Sequence, residues 1–276
     1  MAEGEWVTYR RMPHRPVEVM HAHFERHAYH LHSHETYSFG LTEFGAQGFD
    51  CRGASRVSAA GMVMAFNPDE PHDGHAATDV GFTYSIVHLG TELITDVLSD
   101  QSGRPTGLPL FTDPVLPDPL LSSAVRRLYA TLIGPGTELA ADEALAATVA
   151  AMVRRGARRP LVSSAAVVRG GAVTDIARRV RATLADRYLD PLSMDDLAAV
   201  AGCSRFAMYR AFRACYGMAP SEYQRILRLR AARRLIAAGR PIAAAATEAG
   251  FADQAHLIRW FRRCYGITPG VYANAA

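Results

Sequence analysis

A twenty-residue segment near the end of this chain occurs twice. SRFAMYRAFRACYGMAPSEY at 204–223 returns as DQAHLIRWFRRCYGITPGVY at 253–272, a constant offset of 49 residues. The offset pairs Ser204 with Asp253, Arg210 with Arg259, Phe212 with Phe261 and Arg213 with Arg262. It also pairs Cys215-Tyr216-Gly217 with Cys264-Tyr265-Gly266, and Tyr223 with Tyr272. Each copy follows a short Ala-rich stretch ending in Ala-Gly, DLAAVAG at 196–202 and AAATEAG at 244–250. A short helix, a glycine turn and a basic second helix make a helix-turn-helix, so the repeat predicts two of them.

Charge points the same way. Residues 1–171 hold 14 Arg and 19 acids, a net −5, whereas residues 172–276 hold 16 Arg and 8 acids, a net +8. Only the second segment suits a polyanion. Every basic residue is Arg. The four cysteines, Cys51, Cys203, Cys215 and Cys264, show no CxxC spacing, which excludes a cysteine zinc site and a disulfide framework. The first residues, MAEGEWVTYRR, lack the apolar core of a signal peptide, and no apolar run reaches the ~18 residues of a membrane span. A cytoplasmic protein with no membrane partner is expected.

The faces of the repeated helices can be read from spacing. Ser193 is placed to cap a helix over 194–201, with Asp196 in capping-box position, and Ser204 and Asp253 cap the following basic helices. Met208, Ala211, Phe212 and Cys215 form an inward stripe, as do Leu257, Trp260, Phe261 and Cys264. Phe206, Tyr209, Arg210 and Arg213 face outward, matched by Ala255, Ile258, Arg259 and Arg262. A solvated basic face would explain one such helix. It does not explain outward Phe206, Tyr209 and Ile258, whereas thymine methyls and sugars do accept apolar contact. Arg210 and Arg259 share one register, suited to forking onto guanine, and Arg213 and Arg262 suit phosphates. Residues 221–238 read as one helix long enough, at about 27 Å, to hold two such helices near one duplex turn apart.

Residues 29–90 read as short strands, including YSFGLTEF, GFDCRG, MVMAFN and FTYSIVHLG, that suggest a small barrel or sandwich. Residues 100–119 read as loop. Two amphipathic helices are expected at 119–133 and 137–155. The expected organisation is therefore α+β and multidomain. It comprises a β-barrel sensor over 1–115, a helical packing or dimerisation segment over 116–158, a linker over 159–171 and an all-α domain over 172–276.

Residues 172–276 resemble the DNA-binding domain of the AraC/XylS transcription regulators. The resemblance rests on DLAAVAGCSRFAMYRAFRACYGMAPSEY, RLRAARRLIAAG and PIAAAATEAGFADQAHLIRWFRRCYGITPGVY, including Gly250-Phe251, Phe261, Gly266, Thr268-Pro269 and Tyr272. It implies double-stranded DNA as partner, read by Phe206, Tyr209, Arg210, Gln254, Ala255, Ile258 and Arg259 in adjacent major grooves. RNA polymerase is a further partner if the protein is an activator. Position 245 is Ala where that family usually has a larger aliphatic, which is expected to loosen the second motif.

Ten of the eleven histidines precede residue 89. His30-Leu-His32-Ser-His34, then Gly61-MVMAFN-Pro68-DEP-His72, resembles the sensory cupin domain that often precedes this DNA-binding domain. Metal-binding cupins add a Glu shortly after the His pair, but Phe39 stands there. No metal, no cofactor and no catalysis are therefore expected, although the three imidazoles of His32, His34 and His72 remain a donor set that suits a borderline divalent ion. A small-molecule effector is expected instead, held by His32, His34, Tyr37, Arg52, His72 and Tyr84. The amphipathic helices either pack on the barrel or, as the resemblance implies, pair two protomers as a homodimer. The alternative function is a metal-dependent cupin enzyme fused to a DNA-binding module. An alkyl-transfer repair protein would need a cysteine-rich zinc site that Cys51 alone does not supply.

Overall fold

The computed structural model describes residues 4–12, 15–135, 137–158 and 171–275. In chain order its elements are β1 (Trp6–Arg11), β2 (Val17–Phe24), β3 (Tyr29–His32), β4 (Tyr37–Cys51), β5 (Ala54–Ala59), β6 (Val63–Phe66), β7 (His72–Ala76) and β8 (Phe82–Leu89). Then come α1 (Thr91–Ser102), β9 (Leu110–Phe111), β10 (Val115–Leu116), α2 (Pro119–Ile133), α3 (Glu138–Gly156) and β11 (Ala157–Arg158). The remainder is helical: α4 (Ala172–Asp186), α5 (Met194–Ala201), α6 (Arg205–Tyr216), α7 (Pro220–Ala237), α8 (Ile242–Glu248), α9 (Gln254–Tyr265) and α10 (Pro269–Ala273). These segments cluster into two units: 1–28, 33–164 and 275–276 in the first, 29–32 and 165–274 in the second.

In the first unit an antiparallel sheet runs β1-β2-β8-β4-β6-β10. β4 organises it. Its first half pairs with β8 and β6, its second half with β5 and β7, and the register shifts at a bulge between Thr42 and Phe44. Such a bulge bends a strand and lets it serve two sheets. Side chains alternate along β4 as the pleat requires. Tyr37, Phe39 and Leu41 join Val17, Val19, Val63, Val87 and Leu89 in a core closed by Leu121, Val125 and Leu128 of α2 and Leu145, Val149 and Met152 of α3. The opposite face carries Phe24, Phe82 and Tyr84, with ring centres 5.4–6.4 Å apart, and the edge-on pair Phe49 and Phe66. Asp118 caps α2, accepting from the backbone N–H groups of Leu120 and Leu121, and Thr137 caps α3.

Three features of this unit depart from the sequence reading. The strands begin at β1 and β2, ahead of residue 29, because both faces of β2 are packed and its apolar positions lack a simple period. Helix α1 enters the stretch expected to be loop from residue 100. Short strands β9 and β10 interrupt it further on, where Phe111 is fully buried, while residues 103–109 are in neither helix nor strand, as expected. Of the linker expected at 159–171, residues 159–170 lie outside the described residues.

The second unit repeats itself in space as in sequence. Ser193 and Asp196 close the capping box at the start of α5, and Ser204 and Asp253 cap α6 and α9. The turns need φ of +68° at Gly202 and +83° at Gly250, where a Cβ would be strained. Phe212 lies 4.8 Å from Tyr216 and 5.7 Å from Tyr223; Phe261 lies 4.8 Å from Tyr265 and 5.7 Å from Tyr272. An arginine covers each aromatic group: Arg181 of α4 donates to the Tyr223 hydroxyl, and Arg233 of α7 sits over Tyr265 and Tyr272. Ala245 and Ala246 of α8, and Ala249 just after it, are fully enclosed, so α8 is anchored through small side chains.

Candidate nucleic-acid interface and sensor cluster

On α6, Phe206 is 67 % exposed with the Arg210 guanidinium 4.5 Å above its ring. Arg213 is exposed and Tyr209 half-buried. Met208, Ala211 and Phe212 are buried, but Cys215, expected inward, is exposed. The apolar stripe follows 208, 212 and 216 in steps of four, so Tyr216 makes the last contact and Cys215 turns out beside it. On α9, Gln254, Ala255 and Arg259 are exposed, and Ile258 and Arg262 half-buried. Leu257, Phe261 and Cys264 are buried, and burial pushes the Cys264 thiol up to about 12. Trp260, expected inward, is half-buried. Arg225 lies 3.6 Å over its ring and Arg263 5.3 Å, while its indole N–H meets His256 Nε2 at 3.0 Å.

Neither α6 nor α9 contains an acidic residue. Other arginines of the unit are spent on carboxylates: Arg178 on Asp175, Arg187 on Asp190, Arg205 on Asp195 and Arg240 on Glu248. Among the described residues, Arg210, Arg213, Arg259 and Arg262 make no ion pair. Four guanidinium groups on two capped helices are thus left without a carboxylate partner among the described residues.

In the first unit the residues assigned to an effector fall in different places. Tyr37 points to the helical face and donates its hydroxyl to the Pro109 carbonyl at 2.6 Å; burial raises its pKa. Arg52 bonds the Phe111 and Thr112 carbonyls and pairs with Glu70. Glu70 in turn receives the Asn67 backbone and side-chain N–H groups. Tyr84 lies on the inner face beside Phe24 and Phe82. His72 stacks on Phe66 at 3.9 Å, and its Nδ1 contacts the Glu70 carbonyl at 2.9 Å. Desolvation lowers the His72 pKa, against the raising effects of the Glu70 carbonyl bond and of the Glu70 and Asp73 charges. His34 is brought beside it. His32 ends β3 in the second unit, stacked with Tyr29 and bonded through Nδ1 to the His30 carbonyl.

A residue missed in the sequence joins His34 and His72. The His88 ring centre is 4.6 Å from that of His34, and its Nδ1 contacts Ser38 Oγ at 2.8 Å. The period of two along β8 places Phe82, Tyr84, Ile86 and His88 on one face, which is the signal that would have found it.

Two family models match. That of the AraC-like ligand binding domain covers residues 15–149, and that of a helix-turn-helix domain covers 197–275. The HTH-type transcriptional regulator YbfI of Bacillus subtilis is 24 % identical over 256 residues, 92 % of this chain and 90 % of that protein. The regulatory protein Ada of Salmonella typhimurium is 36 % identical over 78 residues, only 22 % of its length. The crystal structure of unsaturated fatty acid bound ToxT from Vibrio cholerae aligns over 98 % of this chain and 94 % of its own, with a TM-score of 0.55 and 11 % identity, a likeness of fold. The β-rich unit is thus cupin-like, followed by a helical helix-turn-helix unit as in ToxT. Among the described residues no helix is long and apolar enough to cross a membrane. With both matched models present in this order, the chain belongs to the AraC family, as a transcription regulator with an N-terminal ligand-binding domain and a C-terminal DNA-binding domain.

Proposed function

We propose that this chain is a cytoplasmic one-component regulator that reads two adjacent major grooves of double-stranded DNA under control of a small organic effector, and that it performs no catalysis. The observation that carries the reading is the pairing of Arg210 with Arg259. They share a register on two similarly capped helices, both exposed, and neither is held by a carboxylate. Phe206, Tyr209, Gln254, Ala255 and Ile258 complete the base-reading surface, and Arg213 and Arg262 hold phosphates. The inner face of the barrel, with His34, His72 and Tyr84, receives the effector, and the fatty acid of ToxT supports an apolar acid as its type. Tyr37 and Arg52 are proposed to shape the sensor from its margins. Exposed Leu120 and Leu139 on α2 and α3 support pairing of two protomers, and RNA polymerase is the partner when transcription is activated.

Selection of bound sites from random DNA, followed by gel-shift titration, tests the groove assignment. Arg210→Ala and Arg259→Ala are each expected to weaken specific binding by about 1–3 kcal/mol, roughly 5–150-fold, and to relax preference at different base pairs one turn apart. Arg213→Ala is expected to weaken binding to all sequences alike and to reduce the salt slope by about one. If both specificity variants blurred the same base pair, the two-groove reading would fall.

A further inference from the structure

The two repeated basic helices differ along one stripe. Positions 207, 211 and 214 of α6 are alanine, and the offset of 49 residues places His256, Trp260 and Arg263 at the same positions of α9. Steps of four and three put these three on one side of the helix. The core does not ask for the change, since Phe212 and Phe261 fill equivalent sites at matching distances from their tyrosines. Ala211 is buried, whereas the much larger Trp260 stands half-buried.

Trp260 is held from several directions. Arg225 of α7 lies 3.6 Å over its ring, and its indole N–H donates to His256 Nε2 at 3.0 Å. His30 of β3 meets the ring edge-on, at 5.1 Å and 85°. A guanidinium on the face, a ring at the edge and a bonded N–H leave an indole one orientation. Strand β3 belongs to the second unit, and its successive residues touch both motifs. Tyr29 lies against the turn after α9, where a Cβ on Gly266 would collide with its hydroxyl. Leu31 packs on the cluster of the first motif that contains Phe212, Met218 and Ile226. The cleft lined by Trp260 and His30 is lined also by Tyr209 and Arg213 of α6. Trp260 thus stands where the second basic helix faces the first.

We propose that Trp260, wedged between Arg225 and His30, is a positioning residue that fixes α9 at a set angle and distance from α6. The proposal rests on the two-groove reading above. Trp260 is one residue along from Arg259, so its side chain leaves the helix about 100° away from the reading face. It acts through the placing of Arg259 and Ile258 and not by touching a base. Without it each motif still reads its own half of the site, but the spacing between halves is no longer enforced.

The test uses the full chain and duplexes made from its selected site, with one or two base pairs added or removed between the halves. Each base pair of spacing turns one half against the other by about 35° and moves it about 3.4 Å. In gel-shift titrations the unaltered protein is expected to lose at least about tenfold in affinity for a change of one base pair. Trp260→Ala is expected to lose less than about threefold for the same change, with the base preferences inside each half unaltered. Trp260→Phe keeps a ring face for Arg225 and is expected to restore most of the discrimination. His30 lies outside the helices, so His30→Ala is expected to stay folded by circular dichroism and to relax spacing in the same direction. It decides the matter if Trp260→Ala fails to fold. Spacing discrimination as sharp in these folded variants as in the unaltered protein would overturn the proposal. So would a loss of affinity that is uniform over all spacings. If the unaltered protein bound every spacing alike, the two-groove reading itself would fall and this proposal with it.

Discussion

Phe261→Ala is expected to destabilise the second helix-turn-helix by about 3–5 kcal/mol, and Phe212→Ala the first by a similar amount. Both rings are wholly buried, and each sits between two tyrosines at matching distances. Domains of this size are stable by only about 5–15 kcal/mol, so either loss consumes much of the total. The small helices around these rings have little else to hold them: α8 contributes alanines and α10 spans five residues. Urea unfolding followed by circular dichroism measures the loss, and gel-shift titration measures what it does to DNA. A Phe261→Ala protein that stayed folded with unchanged specificity would show that the inward face has been misassigned.

The second large effect is expected at Arg228. From α7 its guanidinium donates to the Tyr188 carbonyl at 2.8 Å, the Gly250 carbonyl at 2.9 Å and the Leu189 and Asp190 carbonyls at 3.3 Å. One side chain thus ties the loop after α4 to the turn of the second motif. Gln224, one turn earlier on α7, adds bonds to the Tyr188 and Asp190 carbonyls. Arg228→Met is expected to cost about 2–3 kcal/mol, because charge-assisted bonds are lost and water replaces them only in part. Arg228→Lys is expected to restore little, since an ammonium cannot reproduce the planar fork. Denaturant titrations of the three proteins check this, and a loss below about 0.5 kcal/mol would mean that water satisfies those carbonyls equally well.

The helical half was the more legible part of the sequence. Caps at Ser193, Ser204 and Asp253 and the glycine turns are local signals, and the repeat offered each reading twice. Cys215 and Trp260 were misread because the end of a helix can turn a stripe residue aside when a larger neighbour fills the core. In the β-rich half, YSFGLTEF gave β4 its start, but nothing local says that β4 continues through the bulge to Cys51. His88 escaped for a related reason. Its partners His34 and His72 lie 54 and 16 residues earlier in the chain, and only strand pairing brings them near.

Helix α7 also works as gearing. Both helix-turn-helix motifs are fastened to its 18 residues, so the angle between them about that axis is counted in residues. Each residue added to α7 would turn one motif past the other by about 100° and move it about 1.5 Å. Such an insertion changes no residue of α6 or α9, and at the cost of the Arg228 bridge it changes the angular phase between the two motifs. If α6 and α9 read bases as proposed, a relative that needed a differently spaced site would reach it by changing the length of α7, while substitutions on α6 and α9 would change which bases are preferred within the existing spacing.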